Sequence, residues 1–71
     1  MAVLNGRWLR KARRAKKLTL GQVAKIIGKN RSTIWRYENQ QVAVSVNVLL
    51  ELAELYDVKV EELIMEGNYG I

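Results

Sequence analysis

The sequence predicts a small all-α domain of five short helices. Helix-capping residues recur along the chain, the apolar residues between them fit helical spacing, and no segment alternates like a strand. The 71 residues contain no proline, no repeat and no low-complexity linker. We therefore expect one domain over residues 1–71, with its core between about residues 5 and 66.

The first helix is predicted to begin after the N-cap Asn5 and to run to about Lys17. Leu4 and Leu9 stand at the spacing of a hydrophobic staple around that cap. The predicted core side consists of Trp8, Leu9, Ala12 and Ala15. The opposite side is a basic stripe of Arg7, Arg10, Lys11, Arg14 and Lys17. This stripe is most simply a solvated face, and attraction to DNA or to an acidic partner is the alternative.

The second helix has the strongest start signal in the sequence. Thr19 and Gln22 have the spacing of a capping box, and Leu18 and Val23 have that of a staple. Gly28 is expected to end this helix. A third helix follows at about residues 31–39, so the pair forms a helix-turn-helix whose second helix would enter a DNA major groove.

The third helix, capped by Asn30, has one polar side and one core side. At about 100° per residue, Ile34 and Tyr37 fall on the core side. Arginine, serine and an aromatic ring suit guanine, mixed base edges and a thymine methyl, respectively. The predicted base contacts are Arg31, Ser32, Trp35 and Arg36. For Trp35, the alternative is a residue that covers the edge of the core or contacts another protein.

The fourth helix is predicted to begin after the N-cap Ser45, with Val44 and Leu49 as its staple. A short fifth helix is predicted to begin near Val60 and to end at Gly67. This half has more apolar residues than one small core needs, so we predict a homodimer that forms through it. These residues are 42–44, Val46, Val48, Leu49, Leu50, Leu52, Ala53, Leu55, Tyr56, Leu63, Ile64 and Met65.

Charge is divided unevenly along the chain, whose net charge is +5. Residues 1–37 carry eleven lysines and arginines and no acid, whereas residues 38–71 carry one lysine and seven acids. A solvated surface explains basic residues, but it does not explain the lack of acids in half of a domain. The N-terminal half is therefore predicted to face a polyanion such as double-stranded DNA.

The composition argues against an enzyme. The chain has no cysteine and no histidine, which excludes disulfides and the usual zinc ligands, and its carboxylates do not cluster like a calcium loop. We find no nucleophile–base pair and no phosphate-cradling glycine loop in the sequence. We expect no catalysis, no cofactor, no metal and no small-molecule ligand. Without a signal pattern or an apolar run of membrane length, a cytoplasmic location is expected.

The stretch LTLGQVAKIIGKNRSTIWRYEN, followed by SVNVLLELAELYDVKVEELI, resembles the helix-turn-helix family of phage repressors, Cro proteins and XRE-type relatives. The resemblance covers about residues 7–64, and RSTIWRYEN with LLELA is its most specific part. It implies a compact five-helix bundle of lambda-repressor-like type that often dimerises on palindromic operators. It also implies an ion pair between a first-helix arginine, here Arg13, and a glutamate near the end of the third helix, here Glu38.

Two positions depart from the family pattern. The family commonly has a phosphate-contacting glutamine in the first turn of the second helix, where this chain has Leu20. It often has glycine and basic residues after the third helix, where this chain has the uncharged QQVAV. Contacts to the DNA backbone should therefore be weaker there or come from elsewhere, for example from amides at helix starts.

These observations predict a cytoplasmic DNA-binding transcriptional regulator, most simply a repressor, of a bacterium, an archaeon or a phage. Its predicted partners are double-stranded DNA, with a palindromic operator, and a second copy of the chain. The predicted phosphate contacts are Thr19, Gln22, Lys29, Asn30 and Asn39. The alternative is a helix-turn-helix used for protein interaction, as in an antitoxin or antirepressor. Leu20 and the uncharged segment favour this alternative, whereas the basic N-terminal half opposes it.

Overall fold

The computed structural model describes residues 2–64 and contains four α-helices, a 3-10 helix and a two-stranded sheet. The α-helices are α1 (Gly6–Ala15), α2 (Leu20–Ile27), α3 (Arg31–Asn39) and α4 (Val46–Tyr56), and the 3-10 helix spans Val60–Leu63. The strands are β1 (Ala2–Val3) and β2 (Ala43–Val44), which pair antiparallel. Over residues 2–64, none of the helices has the length and apolarity that crossing a membrane requires.

Two expectations about secondary structure are wrong. The fifth helix begins at Val60 as predicted, but it is a four-residue 3-10 turn rather than an α-helix. Its predicted end at Gly67, like Met65, lies outside the described residues. The chain also contains strands, although the sequence showed no strand pattern. Each strand has only two residues, too few to produce a recognisable alternation of apolar and polar side chains.

The predicted N-caps stabilise the starts of three α-helices. The side chains of Asn5, Thr19 and Ser45 each accept a hydrogen bond from a backbone amide of the first turn. Thr19 and Gln22 form a complete capping box, with distances of 3.1 Å from Gln22 N to Thr19 Oγ1 and 2.8 Å from Thr19 N to Gln22 Oε1. At the other end of α2, Gly28 adopts the left-handed conformation with a φ of 71°.

The first helix is shorter, and its buried side narrower, than the sequence predicted. It ends at Ala15 rather than near Lys17, which has a φ of 57° that no α-helix accommodates. Leu9 is buried, but Ala15 is exposed and Trp8 keeps 46% of its surface exposed. Trp8 lies outside the core, at the edge of the apolar side of α1. It lines a small groove between α1 and the 3-10 helix.

The N-terminal segment is fixed between two later parts of the chain. The amide of Leu4 donates to the carbonyl of Val42 at 3.3 Å, and the amide of Asn5 donates to the carbonyl of Leu63 at 2.8 Å. The segment that follows α3 is therefore a strand partner rather than a free loop. This pairing closes one side of the core, whose buried residues are Ala2, Leu4, Leu9, Val23, Ala24, Ile34, Val44, Leu49, Leu52, Ala53, Tyr56 and Leu63.

Most of the apolar residues that the sequence assigned to a dimer are used within the chain. Val44 and Leu63 are 3% and 1% exposed, and the inner side of α4 is buried. On the outer side of α4, Val46 and Leu50 remain 57% and 49% exposed. These two residues are four positions apart and therefore share one side of the helix. Any apolar surface that α4 offers to a partner is thus much narrower than expected.

An ion pair of low exposure joins α1 to α3. Nε and Nη2 of Arg13 donate to the two carboxylate oxygens of Glu38 at 2.6 and 3.0 Å. Nη1 of Arg13 donates to the carbonyl of Leu18 at 2.9 Å. The side chain of Glu38 is 2% exposed and that of Arg13 is 12% exposed. The hydrogen bond to Glu38 raises the pKa of Arg13, although burial acts in the opposite direction, so the guanidinium stays charged.

Tyr56 of α4 also belongs to the surroundings of this pair. Burial raises the pKa of Tyr56 well above its ordinary range, and the Glu38 carboxylate raises it further, although Arg13 lowers it. The phenol therefore remains neutral beside the charged pair and does not compete with Glu38 for Arg13.

The close approach of α1 and α3 requires a glycine at position 6. A Cβ atom on Gly6 would overlap the carbonyl oxygen of Glu38 and would lie 2.7 Å from its carbonyl carbon. Both are backbone atoms, which cannot rotate away as the end of a side chain can. Gly6 and the Arg13–Glu38 pair therefore fix the distance between the two helices together.

Replacing Glu38 with alanine should destabilise the protein by about 3–5 kcal/mol, because it leaves the Arg13 guanidinium buried without its partner. Urea denaturation of Glu38→Ala provides the test. The control is Glu51→Ala, which removes an exposed acid from α4 and should change the free energy of unfolding little. Equal midpoints for the two variants would show that the pair contributes nothing to stability.

Replacing Gly6 with alanine should cost about 1–3 kcal/mol, because the added methyl group forces α1 away from α3. Gly21 is the matched control, since a Cβ there meets nothing closer than Thr19 Oγ1 at 3.9 Å. Gly21→Ala should instead stabilise α2 by about 0.5–1 kcal/mol. Thermal unfolding of both variants checks the opposite signs, and a stabilised Gly6→Ala protein would contradict the close approach.

Candidate DNA-binding surface

α3 has one side in the core and one side in solvent. Ile34 and Glu38 are 1% and 7% exposed, and Tyr37 is half-buried. On the outer side, the indole of Trp35 keeps 46% of its surface exposed. All four residues predicted to contact bases are exposed, namely Arg31, Ser32, Trp35 and Arg36.

The two arginines of this surface have no acidic partner among the described residues. Within residues 2–64, neither Arg31 nor Arg36 takes part in an ion pair. Burial raises the pKa of the neighbouring Tyr37, although Arg36 acts in the opposite direction, so the phenol does not supply a counter-charge. Each guanidinium therefore has its planar set of N–H donors available for an acceptor outside the chain.

The residues predicted to contact phosphates are exposed but do not form one cluster. Thr19 and Gln22 stand at the start of α2, where their side chains bind each other's backbone amides. Lys29 and Asn30 stand in the turn beyond its other end, and Asn30 makes no side-chain cap bond although it occupies the N-cap position of α3. Asn39 lies at the end of α3. The five residues therefore lie at three separate places, namely the start of α2, the turn before α3 and the end of α3.

The structure connects Arg10 to the end of α3, a contact that the sequence did not predict. Nη2 of Arg10 donates to Oδ1 of Asn39, and Nε of Arg10 lies 3.7 Å from Oε1 of Glu38. From the sequence, Arg10 was expected in a solvated stripe. The sequence does contain a sign of this contact. Helical spacing puts Gly6, Arg10 and Arg13 on one side of α1, the side that faces α3.

The two departures from the family pattern have local structural reasons. Leu20 is partly buried and packs against the core, so its position in the first turn of α2 contributes to stability. The uncharged segment after α3 contains β2, which pairs with β1. Neither place supplies a side-chain charge to a surface for DNA.

Comparisons with known proteins agree with this architecture. A family model described as helix-turn-helix matches residues 9–63. A protein of Thermococcus gammatolerans, named as a candidate HTH-type transcriptional regulatory protein, is 34% identical over 59 residues, which are 83% of this chain and 19% of that protein. A similarly named protein of Methanocaldococcus jannaschii is 34% identical over 55 residues, 78% of this chain and 17% of that protein. The chain thus spans less than a fifth of the length of these relatives.

One solved structure, unlike these longer relatives, matches this chain over most of its own length. The restriction-modification controller protein C.AhdI from Aeromonas hydrophila is 35% identical to this chain, with a TM-score of 0.70. The match covers 80% of this chain and 86% of that protein. Together with the family match over α1 to the 3-10 helix, this shows that the chain belongs to the XRE-type helix-turn-helix family.

Proposed function

We propose that this chain is a sequence-specific DNA-binding regulator of transcription that reads the major groove with α3. The exposed side of α3 carries this proposal. It combines two arginines that form no ion pair within residues 2–64, a serine and a half-exposed tryptophan. The opposite side of the same helix is tied to α1 through Glu38, so the exposed groups are presented on a rigid support.

Each exposed group of α3 suits a different feature of a base pair. Arg31 and Arg36 can each donate two hydrogen bonds to the N7 and O6 atoms of a guanine. The hydroxyl of Ser32 suits either a donor or an acceptor edge, and the indole of Trp35 can pack on a thymine methyl. Around them, the predicted phosphate contacts of α2 and of the turn would fix the orientation of the helix on the duplex.

The distribution of charge supports the same proposal. The N-terminal 37 residues, which include α1, α2 and most of α3, contain every lysine and arginine except one. Such a field accelerates encounter with DNA and makes binding strongly dependent on salt. A chain bound over a promoter would act as a repressor, in the cytoplasm where prokaryotic DNA is found.

We further propose that two copies bind a palindromic operator as a symmetric dimer. One α3 reads only a few base pairs, and two copies related by a two-fold axis would place half-sites about 34 Å apart, one turn of DNA. Val46 and Leu50 support this proposal, because they form the exposed apolar side of α4. The contact they offer is small, so we expect a weak dimer that forms fully on the operator.

Replacing Arg31 or Arg36 with alanine should weaken binding to the preferred duplex by about 1–3 kcal/mol and relax the preference at particular base pairs. The duplex is first selected from a random pool, and selection is then repeated with each variant. Lys25→Ala is the control, because it removes the same charge from an exposed site on α2 beside α4. An equal loss of affinity for every sequence would make these arginines phosphate contacts, and wild-type behaviour would place the interface elsewhere.

Sedimentation equilibrium should show a largely monomeric protein alone and two chains per palindromic duplex. Leu50→Lys should prevent the second chain from binding cooperatively, because it places a charge in the apolar contact. Trp8→Lys alters an apolar residue of similar exposure on α1 and should leave the stoichiometry unchanged. A strict monomer that binds one chain per palindrome would refute the dimer and favour an interaction module.

A further inference from the structure

The segment that follows α3 cannot supply a cation to the DNA backbone. Residues 40–44 contain no charged side chain, and their backbone pairs with the N-terminal segment through β2 and through the carbonyl of Val42. Yet α3 has nine residues and is about 13 Å long, close to the roughly 12 Å width of a major groove. A duplex that receives α3 in its groove therefore brings a phosphate backbone near the C-terminal end of the helix.

Arg10 of α1 is a cation that contacts this end of α3 directly. Glu38 carries one negative charge, and Arg13 donates a hydrogen bond to each of its carboxylate oxygens. Arg10 is thus a second cation beside a single carboxylate, and the group of three carries one excess positive charge. This excess faces solvent through Arg10, whose side chain is 39% exposed, compared with 12% for Arg13.

Asn39 holds the Arg10 guanidinium in place. Nδ2 of Asn39 donates to the carbonyl of Trp35 at 2.9 Å, which leaves Oδ1 directed at the Nη2 group of Arg10. A guanidinium has five N–H donors, so the others remain available to an acceptor. One row of α3, with a spacing of four residues, consists of Arg31, Trp35 and Asn39. Because Arg10 binds Asn39, it extends this row, which includes two of the proposed base contacts.

We propose that Arg10, positioned by Asn39, donates to a backbone phosphate at the C-terminal end of α3 and supplies the charge that residues 40–44 lack. Asn39 then acts mainly by orienting Arg10, rather than as an independent phosphate contact. The inference rests on the proposed function, because it names a further residue of the same DNA-binding surface.

The dependence of DNA binding on salt tests this assignment. A contact to one phosphate makes the slope of log K against log salt more negative by about 0.9. Arg10→Gln should therefore make the slope less steep by about 0.9 and weaken binding about tenfold, the order of one charge-assisted hydrogen bond. The base preference should not change. The probe is a fluorescent duplex chosen from the random pool, and binding is followed by anisotropy.

Lys11→Gln is the matched control. It removes the same charge from α1, but at the side where Nζ of Lys11 lies 4.6 Å from the centroid of the Trp8 ring. Its slope should stay within error of the wild type. An equal loss of steepness in both variants would mean that Arg10 contributes only general electrostatic attraction to DNA. An unchanged slope in Arg10→Gln would refute the contact.

Two further variants separate the contact from a purely structural role. Arg10→Lys keeps the charge and Asn39→Ala keeps the arginine, so both should bind more weakly with the wild-type slope. If Arg10→Gln fails to fold, these two variants alone test the contact. Wild-type affinity in both would overturn the proposal. If the wild type binds no duplex at all, the proposed function itself fails. If it binds and Arg10→Gln keeps the full slope, only this inference fails.

Discussion

The Arg13–Glu38 pair is the contact on which the rest of the surface depends. It joins α1 and α3 through two hydrogen bonds at low exposure, and the carboxylate would be costly to bury without them. The lack of a side chain at Gly6 lets the backbones approach closely enough for this geometry. With its inner side fixed in this way, α3 presents its outer side in one orientation, which is what recognition of base edges requires.

The same pair explains why Arg10 differs from the other basic residues of α1. Glu38 supplies one negative charge to both Arg13 and Arg10, so the group of three keeps one excess positive charge while Asn39 restrains Arg10. The sheet imposes a complementary constraint. The segment after α3 pairs with β1 and closes the core. It carries no charged side chain that could contact the DNA backbone directly. We therefore infer that the cation for a phosphate at this end of α3 comes from α1, through Arg10.

Much of this arrangement follows from the sequence, because the relevant signals are local. The capping box of Thr19 and Gln22, the turn at Gly28 and the polar side of α3 each depend on residues within one or two helical turns. The ion pair was expected through resemblance to a family, not through spacing. The sequence did not reveal β1 and β2, the exposure of Trp8 or the contact of Arg10 with Asn39. The strands and the Arg10 contact depend on pairs that are distant along the chain, 29 positions apart for Arg10 and Asn39. Helical spacing places Arg10 on the same side of α1 as Gly6 and Arg13, but it does not identify Asn39 as its partner.

The two tryptophans show directly whether the outer side of α3 is the DNA-binding surface. Trp8 on α1 and Trp35 on α3 are equally exposed at 46%, and they are the only indoles in the chain. In a titration of 15N-labelled protein with the selected duplex, followed by NMR, the indole N–H resonance of Trp35 should shift or broaden strongly and that of Trp8 should move little. A strong change at Trp8 with an unchanged Trp35 would contradict the account.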